Sequence, residues 1–159
     1  MNRHVISVLV ENSSGVLSRI SGLFSRRAYN IDSLSVGTTE DNRFSRMTIT
    51  VCGDEQVFEQ IKKQLNKLIE VIKITELKPE SSVCRELMMI RVNSVGSRSN
   101  IMEIANIFRA SIIDVASDSL VLELTGDRNK INAFQNMLEP IGITEVVRTG
   151  IAGLERGLK

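Results

Sequence analysis

The sequence predicts an α+β chain built of two successive βαββαβ units, and three observations carry that prediction. Short β-branched runs and stretches of helical periodicity follow one another in the same order twice. Asn12-Ser13-Ser14-Gly15 is echoed by Asn93-Ser94-Val95-Gly96 at an offset of 81 residues, and Gly53-Asp54 by Gly126-Asp127 at an offset of 73. Between the two halves lies Lys78-Pro79-Glu80-Ser81-Ser82, which combines Pro, charge and Ser without an apolar residue and reads as a linker.

In chain order, Val5 to Val10 is a short β-branched run closed by the turn-forming Glu11-Asn12-Ser13-Ser14-Gly15, the mark of a buried strand. Val16, Leu17, Ile20, Leu23, Phe24 and Ala28 recur at helical spacing, with Ser18, Arg19, Ser25 and Arg26 on the opposite face. Ile31 to Thr38 and Phe44 to Cys52 read as two strands joined by the polar 39–43, hence a hairpin. Gly53-Asp54 supplies an N-cap for a helix carrying Val57, Ile61, Leu65 and Leu68, and Val71 to Leu77 closes the unit as a strand. The second half repeats the order: strand 83–93, loop 94–99, helix 100–110, strands 112–116 and 119–126, helix 128–139, strand 142–149. Residues 147–157 contain three Gly and read as a loose terminus or a partner-binding tail. A βαββαβ unit is the ferredoxin-like arrangement, an antiparallel four-stranded sheet with two helices on one face. The expected division is therefore a domain at 1–78, a linker at 79–82 and a second domain at 83–159. Two such sheets leave edges and faces that need cover, which argues for pairing within or between chains.

Composition narrows what such a fold can do. Lys and Arg number 20 against 19 Asp and Glu, and this net charge of +1 provides no field for nucleic acid or anionic membrane. Aromatics are 4% of the chain, too few for the strand stacking by which this fold binds RNA. Its one histidine, His4, has no nucleophile at suggestive spacing, reads as a surface or strand-edge residue, and makes nucleophile-and-base catalysis improbable. Walker and GxGxxG nucleotide fingerprints are absent. Cys52 and Cys84 fit neither a zinc nor a redox spacing and are expected as reduced, part-buried thiols. With no signal-peptide core and no membrane-length apolar run, the expectation is a cytoplasmic protein.

Two clusters can bind a small molecule. At Asn12 to Leu17, Gly15 permits close backbone approach, the first N–H groups of a helix suit a carboxylate, and Asn12 adds a carboxamide. A plain capped turn explains the same residues. At the exit of that helix, Tyr29-Asn30-Ile31-Asp32 offers Asn30 as a left-handed helix terminator and Asp32 as a partner for an ammonium group. Together with the aliphatic Val16, Leu17, Ile31 and Val36, these groups suit an aliphatic α-amino acid.

The run Val8 to Arg19, followed by Gly22-Leu23-Phe24-Ser25-Arg26-Arg27 and Tyr29-Asn30-Ile31-Asp32-Ser33-Leu34, resembles the small regulatory subunits of acetolactate synthase, also called acetohydroxyacid synthase. Ser45-Arg46-Met47-Thr48, residues 60–68, Arg85-Glu86-Leu87-Met88, Phe108-Arg109, Ile113-Asp114-Val115 and Arg148-Thr149-Gly150 extend the likeness over nearly the whole chain. The resemblance implies an N-terminal ACT domain, the amino-acid-sensing ferredoxin-like fold, followed by an ACT-like domain. It implies a homodimer through the ACT domains and a large catalytic subunit that carries thiamine diphosphate, Mg2+ and FAD, none of them held by this chain. That subunit condenses two pyruvates to 2-acetolactate in branched-chain amino acid synthesis. Its small partner raises the activity, confers inhibition by valine and has no catalytic residues of its own. Valine is expected between two ACT domains, at Asn12, Gly15, Val16 and Leu17 of one chain and Asn30 and Ile31 of the other. Position 28, often Gly in this pattern, is Ala28. A plastid stroma is the implied location in a plastid-bearing source. Apart from the resemblance, the binding residues also suit a stand-alone amino-acid-binding ACT module regulating another enzyme or transcription.

Overall fold

A computed structural model of the chain describes Asn2 to Gly157; Met1, Leu158 and Lys159, which the expected domain limits include, lie outside the described residues. The chain divides into two compact units, one made of the residues up to Cys84 together with those from Ile151 on, the other of Arg85–Gly150.

In the first unit, β1 (Asn2–Glu11), β2 (Ile31–Thr38), β3 (Phe44–Gly53) and β4 (Val71–Glu76) form an antiparallel sheet in the order β2-β3-β1-β4. The helices α1 (Val16–Arg26) and α2 (Glu55–Asn66) supply the other layer of the core. Alternation along β1 and β3 sends Ile6, Val8, Val10, Met47, Ile49 and Val51 into that core, where they meet Ile20, Phe24, Phe58 and Ile61. Each such side chain contributes roughly 1.5–3 kcal/mol on burial. The Asp54 carboxylate caps α2 by accepting from the Val57 N–H at 2.8 Å, as the Gly-Asp pair predicts.

The second unit repeats the plan with β5 (Ser82–Asn93), α3 (Arg98–Phe108), β6 (Ser111–Val115), β7 (Ser119–Gly126), α4 (Arg128–Leu138), a 3-10 turn at Glu139–Ile141 and β8 (Ile143–Arg148), in the sheet order β6-β7-β5-β8. The repeated dipeptides do the same work in both halves. Asp127 caps α4 through the Lys130 N–H at 2.9 Å, and Gly15 and Gly96 both take positive φ, 86° and 72°, ahead of the first helix of each unit.

Several sequence expectations change. The tail, taken as part of a second domain at 83–159, forms β9 (Ala152–Glu155), pairs with β5 and belongs to the first unit. Gly153 permits this: a Cβ there would stand 2.7 Å from Leu77 Cδ1 and 2.8 Å from Cys84 Sγ. The stretch 79–82 is not a free linker, because the Ser81 N–H donates to the Lys78 carbonyl at 3.1 Å and Ser82 already begins β5. His4 is buried rather than on the surface, its ring stacked 4.1 Å from that of Phe58. Cys52 is exposed instead of part-buried, whereas Cys84 is half-buried.

Candidate functional site

The loop from β1 to α1 is held open by its backbone. Gly15, at φ 86°, turns the chain into α1, and no side chain caps the helix. The capped-turn explanation therefore lacks its capping bond. Asn12 is occupied elsewhere: its backbone N–H donates to the Arg43 carbonyl at 2.8 Å and its Nδ2 to the Asn42 carbonyl at 2.9 Å. This ties the exit of β1 to the β2–β3 turn and leaves the amide oxygen of Asn12 without a partner among the described residues. The first hydrogen bond of α1 runs from the Arg19 N–H to the Gly15 carbonyl, so the N–H groups of Val16, Leu17 and Ser18 have no intrahelical acceptor. They face a helix dipole that favours an anion. The side chain of Val16 is in the core and can offer a ligand only this N–H, whereas Leu17 is 46% exposed and gives an apolar wall.

At the other end of α1, residues 27–29 close the helix with Ala28 at φ 55°. The Tyr29 N–H reaches the Phe24 carbonyl and the Ala28 N–H the Ser25 carbonyl, the paired bonds of a left-handed C-terminal turn. The left-handed residue is thus Ala28 and not Asn30, which explains why glycine suits this position. Asn30 is free to serve the start of β2, where its Nδ2 donates to Asp32 Oδ1 at 3.2 Å, and Ile31 is half-buried against the core. Asp32 does not stand ready for an ammonium ion, as the sequence suggested. Its Oδ2 accepts from Cys52 Sγ at 2.8 Å and from Arg3 Nη2 at 3.2 Å. The Cys52 thiol, then Arg3 and Asn30, hold the Asp32 carboxyl below the usual carboxylate range, and the same carboxylate pushes the Cys52 thiol up. Arg3 was not singled out in the sequence, and Cys52 only as a reduced thiol; strand alternation puts them on one face, but only the pairing of β1, β2 and β3 brings them to Asp32.

One chain does not bring the six expected residues together. Ile31 pairs with Val51, which pairs with His4, whereas Thr38 pairs with Ser45, which pairs with Val10. Asn30 and Ile31 therefore lie at one end of the sheet and Asn12 to Leu17 at the other, about 20 Å away along the strands.

Residues 85–157 match the family described as the small subunit of acetolactate synthase, and residues 6–73 match the AHAS small subunit-like ACT domain. The chain is 53% identical to the acetolactate synthase small subunit of Mycobacterium bovis over 155 residues, 97% of this chain and 92% of that protein. It belongs to the acetolactate synthase small-subunit family. The small subunit of Mycolicibacterium smegmatis is similar at 50% identity over 97% of this chain and 91% of its own length. A crystal structure of the small subunit from Thermotoga maritima superposes with a TM-score of 0.93 at 40% identity, covering 100% of both chains. Membership in the acetolactate synthase small-subunit family makes this chain a regulatory component with an ACT-type N-terminal unit. Among the described residues no helix is long and apolar enough to cross a membrane.

Proposed function

We infer that the chain activates the large catalytic subunit of acetolactate synthase and makes it sensitive to valine, which it binds between two copies of its ACT unit. The observation that supports this reading is that Asn12 to Leu17 and Asn30 with Ile31 lie at opposite ends of one sheet, with β2 as the edge strand between them. A two-fold dimer that pairs β2 antiparallel with its copy sets the start of one β2 beside the end of the other. Asn30 and Ile31 of the partner then approach the end of the sheet that carries Asn12 to Leu17. The unpaired N–H groups of Val16 and Leu17 receive the valine carboxylate, the Asn12 amide oxygen accepts from its ammonium group, and Leu17 with the partner's Ile31 encloses its side chain. Covering an exposed edge strand is a gain in itself.

A ligand shared by two copies binds only arrangements in which both halves meet, and this differential affinity lets valine bias the dimer and hence the subunit it contacts. Thiamine diphosphate, Mg2+ and FAD belong to the catalytic subunit in this reading, and this chain contributes no reacting group. No nucleic acid partner is called for, and the expected compartment is that of the synthase, the cytoplasm or a plastid stroma.

The test is acetolactate formation by the catalytic subunit with and without this chain. Adding the chain should raise the rate, and valine should lower it again. Valine at about 100 times its dissociation constant should stabilise the chain by roughly 2.7 kcal/mol. Gly15→Val, forced into positive φ, and Asn12→Ala should each abolish inhibition while activation persists. Full inhibition of both variants would show the site to be elsewhere.

A further inference from the structure

We propose that the helix-free face of the first sheet holds a second binding site, for a short-chain monocarboxylate, beneath the C-terminal strand. Leu9 in β1 pairs with Arg46 on one side and with Lys73 on the other, so two cations flank one leucine in a single row across the sheet. With neighbouring strands about 4.8 Å apart, their Cα atoms are about 10 Å apart, close enough for two long side chains to close on one oxyanion. In the next row Ser7 pairs with Thr75, which places a hydroxyl on each of two strands beside the cations.

Arg46 is held down onto the sheet: its Nη1 donates to Ser7 Oγ at 3.0 Å, and Ser7 is 3% exposed. Among the described residues neither Arg46 nor Lys73 is in an ion pair. A part-buried guanidinium without an ion-pair partner beside a second cation is an unfavourable arrangement, and a bound oxyanion relieves both terms. Arg and Lys also supply the charge-assisted hydrogen bonds that carboxylates accept.

The groove around these groups has a volume of about 250 Å³ and is bordered by Leu9, Leu77, Leu154 and Glu155 as well as the polar residues. Pockets for drug-sized ligands run to about 300–1,000 Å³, so a nucleotide or a large cofactor is too big and a short acid fits. Arg46 and Lys73 set against the Glu155 carboxylate leave the groove a single positive charge, which selects a monoanion. Leu9 of β1, Leu77 just past the end of β4 and Leu154 of β9 suit a short aliphatic body. The site is separate from the head of α1, which lies at the end of the strands and on the helix side of the sheet.

The experiment uses the full chain and isobutyrate, a branched acid that lacks the ammonium group of an amino acid. Isobutyrate should bind saturably by calorimetry and raise the melting temperature. Arg46→Gln and Lys73→Gln should each weaken binding about tenfold or more, with the response to valine unchanged. Lys73 is exposed, so its variant folds even where Arg46→Gln does not. Gly15→Val should keep isobutyrate binding. The proposal is overturned if no saturable binding is found, if Lys73→Gln binds as tightly as the unsubstituted chain, if Gly15→Val alone loses binding, or if inorganic phosphate binds as tightly as isobutyrate.

Discussion

Asp32 is the residue whose surroundings diverge most from its apparent chemistry. A carboxylate beside a predicted amino-acid site suggests an ammonium partner, yet Cys52, Arg3 and Asn30 already take up its lone pairs. Because the folded carboxyl ionises at lower pH than an ordinary one, its contribution to stability is whole above the normal carboxylate range, near pH 3.9. It is lost as the pH falls through the lower folded value. Asp32→Asn should therefore lower stability at neutral pH, and the two proteins should converge in acid denaturation only once the pH is below the lowered folded value. The same substitution removes the group that pushes the Cys52 thiol up, so alkylation of this exposed thiol by iodoacetamide at pH 8 should speed up. An unchanged alkylation rate would mean that the carboxylate does not control the thiol. Arg3 and Asp32 are 29 positions apart, and no local pattern in the chain announces their contact.

At the scale of elements, the helix starts separate residues that look alike in the sequence. Asp54 and Asp127 are true caps, each accepting a backbone N–H from three residues on, and Asp→Ala at either should cost about 1 kcal/mol in urea denaturation. Ser13 and Ser14 precede α1 in a similar way but do not cap it, and their replacement by Ala should change stability by less than about 0.5 kcal/mol. A cost at Ser13 or Ser14 equal to that at Asp54 would contradict the open helix head on which the proposed valine site depends. The caps were legible because Gly-Asp ahead of an apolar helical period has a local cause, a carboxylate within reach of the next turn. The vacancy at α1 was not legible, since Asn12 is drawn away by Asn42, across a β2–β3 turn that the sequence places 30 residues later.

Over the whole molecule, the chain passes between its two units twice, after Cys84 and after Gly150. Two residues inside these crossings, Glu86 and Arg148 form a bidentate pair, with Nε to Oε1 at 2.7 Å and Nη2 to Oε2 at 3.0 Å. Asn132 and Gln135 of α4 accept from the remaining nitrogen. Glu86 is 5% exposed, so Arg148→Met should leave a buried, unpaired carboxylate and destabilise by about 3–5 kcal/mol, and adding Glu86→Leu should restore most of the loss. Denaturant unfolding of the single and double variants measures this directly. If the single variant were as stable as the unsubstituted chain, the pair would not be holding the ends of the second unit together.

The order of elements, the duplication and the class of each face followed from the sequence because they rest on short-range causes: alternation in strands, helical periods, caps and turn residues. The local geometry at the head of α1 was legible too, a glycine at positive φ before a helix, whereas the left-handed residue after it is Ala28 and not the expected Asn30. Tertiary structure alone decided three things. It placed the two motifs at opposite ends of the sheet, which depends on strand order and register. It returned the glycine-rich tail to the first unit, where the lack of a Cβ at Gly153 lets β9 lie against Leu77 and Cys84. And it set Arg46 and Lys73, 27 positions apart, on either side of Leu9, because β1 lies between β3 and β4. Each depends on which distant segments share backbone hydrogen bonds, information that local periodicity does not contain.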